Sequence, residues 1–208
     1  LSELHLLANY GFHATVPHWY NGFTLFQVYP PGWYFFSLPI YMITDNIRIT
    51  ALISLVIILI LGFIASSLIF KKSPNKIIFF VFFFMNPIMI DYIFFIGRFP
   101  ELFGWVIYLF IFYLVFKYKN IRIETKGFFL FTILLSLIII THQYASFPAL
   151  LLIFSLFLTK PKKEKFMILL FVLLSIILTS FYWQGLAKVL IDKPYAVEPT
   201  QYQKGELL

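Results

Sequence analysis

The stretch GRFPELFGW, residues 97–105, places one guanidinium and one carboxylate, Arg98 and Glu101, between Gly97 and Gly104. An arginine fork holds a phosphate through two parallel hydrogen bonds, and flanking glycines let a ligand come close to the backbone. Asp91 lies six residues before it, and the plain alternative is that Asp91, Arg98 and Glu101 pair with one another at a surface. THQYASFP, residues 141–148, carries His142 and Tyr144 on a tight turn, where the imidazole either serves as an acid or base or simply faces water. Near the start, Glu3, His5, His13 and His18 offer oxygen and nitrogen ligands of the kind a metal takes. Their spacing matches no compact metal signature, and the proline of HATVPH (13–18) breaks a helical pairing of His13 with His18.

These groups have to be positioned by an unusually apolar chain. Of 208 residues, 61% are hydrophobic, 22% aromatic and only 12% charged, against about 25% charged in ordinary soluble domains. Apolar runs fall near residues 49–70, 77–95, 102–116, 127–140, 149–159 and 166–183. Several are shorter than the ~20 residues that span a hydrocarbon core, so the helices are expected to extend into their flanks. The fold class expected is therefore an all-α polytopic membrane protein with six crossings.

The loops between the runs divide into two kinds. KKSPNK (71–76), KYKNIRIETK (117–126) and KPKKEK (160–165) hold eleven of the sixteen Lys and Arg. By the bias of basic residues toward the cytoplasm these loops face inward, and six crossings then alternate without conflict. The expected location is the plasma membrane, with the His- and Trp-rich loops outside. Trp105 and Trp183 fit an aromatic belt at the membrane boundary. The expected organisation is an outer loop over residues 1–46 with interfacial helices, a transmembrane domain over 47–183 and an outer polar segment over 184–208. LSELHLLANYGF (1–12) suits a short helix lying at the interface, and the Pro-Pro-Gly of residues 30–32 breaks the chain before a second short apolar segment. The start at Leu1 and the polar end read as a piece of a longer chain.

Other classes are excluded by what is missing. Without cysteine there is no disulfide framework, thiolate zinc site or iron-sulfur cluster. No phosphate-cradling glycine loop, nucleophile elbow or zinc-protease pattern occurs, and no histidine sits mid-run to hold a haem. The net charge of +7 is accounted for by topology, so nucleic acid is not an expected partner. A transporter would place ionisable groups at mid-bilayer and often repeat itself internally, and neither feature is present.

VPHWYNGFTLFQVYPPGWYFF (16–36), with an acidic and His-bearing helix before it, resembles the first outer loop of the GT-C superfamily of polyprenyl-phosphate-dependent membrane glycosyltransferases. GRFPELFGW, THQYASFPALL and SFYWQGLAKVL are similar to outer turns of archaeal members often labelled pyruvoyl-tetrahydropterin synthase-related membrane proteins. The resemblance implies transfer of a sugar from a polyprenyl-phosphate carrier on the outer face. It implies Glu3, or an acidic residue just upstream of Leu1, as catalytic carboxylate with His5 beside it, and in some members a divalent metal at that carboxylate. Arg98 becomes the phosphate contact, with Glu101, Asp91, His142, His18, Trp19 and the Tyr29–Pro30 corner as the surrounding binding residues. The chain departs from the family in lacking a visible Asp in the first loop and the large soluble C-terminal domain. The alternative reading is a non-catalytic membrane subunit whose outer loops dock protein partners.

Overall fold

In the computed structural model, residues 2–16, 23–26, 29–71, 73–94 and 97–192 are described. The protein is all-α apart from one minimal hairpin. α1 (Ser2–Tyr10) is followed by β1 (Thr15–Val16) and β2 (Phe23–Thr24), which pair antiparallel with Thr15 opposite Thr24. Then come α2 (Gly32–Thr44), α3 (Ile47–Phe70), α4 (Asn75–Phe84), α5 (Pro87–Phe94), α6 (Phe99–Tyr118), α7 (Thr125–Thr141), α8 (Gln143–Thr159), α9 (Lys162–Leu178) and α10 (Ser180–Asp192).

α1 is the short helix expected at the start, and it buries Leu4 and Leu7, while Ala8 is exposed. α2 follows the Pro-Pro-Gly break and buries Trp33, Tyr34, Ser37 and Tyr41, one stripe at helical spacing. Gly32 fits against the end of α7, since a Cβ there would lie 2.9 Å from the Ile140 carbonyl oxygen. The Asn46 side chain starts α3 by accepting from the backbone N–H groups of Arg48 and Ile49, at 3.0 and 3.2 Å.

Among the described residues two helices, α3 and α6, are long and apolar enough to cross a membrane. The other apolar runs differ from six uniform crossings. Residues 77–95 do not form one helix: Asn86 accepts from the Met89 N–H at 3.0 Å and Pro87 opens a new helix, so the run divides into α4 and α5. The run 166–183 ends at Leu178, a turn at Thr179 follows, and α10 continues through the expected boundary at residue 184. α7, α8 and α9 have 17 residues each.

α6 and α7 pack on one another, α9 packs on α7, α8 on α6, and α3 on α2, α4 and α6. The turns sort to two ends. At one end Lys160 donates from Nζ to the Ile121 carbonyl at 2.6 Å and pairs with Glu164 at 3.2 Å, and Glu164 accepts from the Ile123 N–H at 3.2 Å. This basic end holds the turns 119–124 and 160–161. At the opposite end α2 packs on α6 and on the end of α7, and α1 packs on α2.

Polarity is distributed inside-out. Ser37, Ser54, Ser66 and Ser175 have no exposure, whereas Phe82 is 75% and Phe166 67% exposed. The buried hydroxyls are satisfied: Ser37 bonds Ser54 at 3.0 Å between α2 and α3, and Ser175 donates to the Thr132 carbonyl at 3.0 Å between α9 and α7.

Candidate functional site

Three elements meet opposite the basic end and enclose a cleft of about 420 Å³. The corner before α2 contributes Tyr29 and Pro30, the start of α6 contributes Arg98 and Glu101, and the α7–α8 corner contributes His142, Gln143 and Tyr144. Pro100 in the first turn of α6 fixes the helical start just after Arg98. Phe99 stacks on Trp33 with ring centres 5.4 Å apart, tying that start to α2.

His142 is a one-residue joint between two helices. Its backbone is extended, with φ −159° and ψ 114°; its N–H donates to the Ile138 carbonyl and its carbonyl accepts from the Ser146 N–H, at 3.0 and 3.1 Å. The joint is pressed onto α6 at Gly104, where a Cβ would lie 2.7 Å from the His142 Cβ and 3.2 Å from the Ala145 Cβ. Gly104 therefore serves helix packing, in place of the ligand approach expected of it; Gly97, with φ +72°, has open space around it. Gln143 reaches the other way and donates from Nε2 to the Tyr182 hydroxyl on α10 at 2.7 Å.

The charges form one group. Arg98 pairs with Glu101 at 3.3 Å, with the Arg98 side chain half exposed. His142 has its Nδ1 buried without a hydrogen-bond partner among the described residues. Burial lowers its pKa, with Glu101 acting to raise it and Arg98 to lower it. Burial and the Glu3 carboxylate raise the pKa of Tyr29, and the Arg98 and Glu101 charges reach it too. Tyr34 donates its phenolic hydrogen to Glu3, and burial and that carboxylate hold the phenol well above its ordinary pKa. The aromatic pair Tyr29–Tyr34, ring centres 6.2 Å apart, thus stands between Glu3 on one side and Arg98, Glu101 and His142 on the other.

Arg98, Glu101, His142, Tyr29 and Pro30 come together, with Glu3 adjacent through Tyr34. His5 does not join Glu3: two steps along a helix turn the side chain by about 200°. Its Nε2 accepts from the Asn9 amide at 3.0 Å, which leaves Nδ1 to donate to the Tyr41 hydroxyl at 2.8 Å. That ring faces a separate recess with Asp45 and Arg48. Asp91 is exposed on α5 and is not among the residues of the cleft. His18 and Trp19 lie outside the described residues. His13, with φ 56°, stacks on Phe12 at 3.8 Å, and among the described residues no three His, Asp or Glu side chains gather as metal ligands. Tyr34 and Gln143 carry little signal in the sequence beyond a tyrosine four residues after Pro30 in an aromatic run.

No family model, curated protein or solved structure matches the chain.

Proposed function

We propose that the protein is a polytopic membrane protein, its basic end cytoplasmic, whose outer cleft binds a polyprenyl-phosphate-linked sugar and transfers the sugar to an acceptor hydroxyl, as the resemblance to GT-C enzymes implies. The membrane part of the reading is supported by apolar side chains on the outer helix faces, hydroxyls inside, and the basic turns gathered at one end. In this reading α4 with α5, and α7, α8 and α9, cross alongside α3 and α6.

The observation that carries the functional part is the meeting of Tyr29, Arg98, Glu101 and His142 in one cleft at the end away from the basic turns, with Glu3 linked to it through Tyr34 and Tyr29. Transfer breaks the bond between the sugar's anomeric carbon and the phosphate oxygen and forms one to the acceptor oxygen. The acceptor's proton goes to a carboxylate, for which Glu3, which accepts from the phenol of Tyr34, is the candidate. The departing phosphate gains negative charge, which Arg98 is placed to hold. The tyrosine rings give apolar faces for the sugar.

The test is binding of short-chain polyprenyl-phosphate sugars to the protein in lipid nanodiscs, beside Arg98→Ala. Binding that the variant loses, at unchanged yield, supports the reading. Absence of binding by the intact protein moves the assignment to the non-catalytic subunit, whose outer loops would then be probed for co-purifying proteins.

A further inference from the structure

We propose that a cavity at the basic end, between the ends of α3 and α6, is a binding site for an anionic glycerophospholipid of the inner leaflet. Lys71 and Lys117 hold its phosphate, and an acyl chain lies along an apolar wall that includes Leu68, Phe112 and Phe116. The inference rests on the membrane part of the proposed function and not on the transferase chemistry.

The cavity is large, about 710 Å³, and its composition is divided: its walls are aliphatic and aromatic, and its charged lining is two lysines. α3 and α6 run in the same direction, both ending here. A lysine at a helix C-terminus is favourable by itself, since it faces the partial negative charge of the last carbonyls. That account explains the charges but leaves the apolar space beside them unexplained. A lipid accounts for both, because its phosphate and its chain need the two surfaces next to one another.

The neighbouring basic turn supplies a contrast. Lys160 is 5% exposed at its side chain and already neutralised by Glu164. Lys71 and Lys117 are exposed and, among the described residues, make no ion pair; Lys117 lies 5.1 Å from the Tyr118 ring centre. Lys71 also ends α3 with φ 41° and ψ −110°, a backbone conformation rare for a residue with a side chain. The half-buried Tyr113 adds a hydroxyl to the same lining.

The experiment uses the full-length protein and begins with flotation on liposomes, which reports membrane insertion alone. Native mass spectrometry then compares retention of phosphatidylglycerol and phosphatidylcholine, with inorganic phosphate as a third ligand. The expected result is a retained phosphatidylglycerol, with affinity about tenfold or more weaker in Lys71→Gln/Lys117→Gln. Leu68→Trp, which fills the trough and keeps both charges, is expected to lose the lipid as well. Equal retention of phosphatidylcholine, an unaffected double variant, or equal binding of inorganic phosphate alone overturns the lipid site while leaving the membrane reading intact. Failure to float overturns both.

Discussion

His142 has an imidazole nitrogen buried beside Glu101, and the direction of its response to pH follows from that. Its pKa is held below the ordinary 6.5 chiefly by burial, and His13 is shifted the same way for the same reason. As pH falls past 6.5 the unfolded chain takes up protons that the folded protein refuses. Stability present above that value is therefore lost as pH falls through it. Thermal unfolding in nanodiscs should show Tm decreasing from pH 6.5 to 5.5, with a shallower slope in His142→Gln; identical slopes would mean that His142 does not titrate differently on folding. Tyr34→Phe isolates another single atom. It removes the donor to Glu3 while keeping the ring, so transfer should fall by about tenfold or more with little change in Tm. A matching loss of Tm would make the bond to Glu3 a structural one.

Between elements, the decisive contacts are those that bring helices close at one point. Gly104→Ala pushes a methyl into the His142 and Ala145 side chains, both carried on the α7–α8 corner, and should destabilise by roughly 1–3 kcal/mol. At the basic end, Glu164→Gln leaves Lys160 buried without its counter-charge and should cost roughly 3 kcal/mol, whereas Lys162→Ala on the exposed start of α9 should stay within about 0.5 kcal/mol. Chemical denaturation of the two variants side by side checks that difference. Here the limits of the sequence are specific. The apolar runs located α3 and α6 within a few residues at each end, because nothing inside either run interrupts the helix. The run 77–95 is continuous in hydropathy, although Asn86–Pro87 is a cap followed by a helix-opening proline. Lys160 could not be distinguished from Lys162 by counting charges, since its burial depends on where the turn 119–124 lies. Arg98, Glu101 and His142 are legible as candidates from their types; that Glu3 reaches Tyr34 beside them while His5 turns to Tyr41 depends on the facing of α1.

For the whole molecule, the separation of basic and cleft ends gives the proposed topology a direct check. The chain has no cysteine, so single cysteines can be introduced without background. A membrane-impermeant maleimide should label Tyr144→Cys on intact cells and Ser73→Cys only after permeabilisation; equal labelling of both would reject the proposed sidedness. Helix length carries a further consequence. At 17 residues, α7, α8 and α9 are each about 26 Å long, shorter than a hydrocarbon core of about 30 Å. In the proposed topology, where these helices cross, thinning of the bilayer around them would match their length and draw its headgroups toward the mid-plane on that side of the bundle. Bilayer thickness then becomes a control on the cleft: a phosphate carried at the membrane surface is lowered toward Arg98 without any movement of the protein.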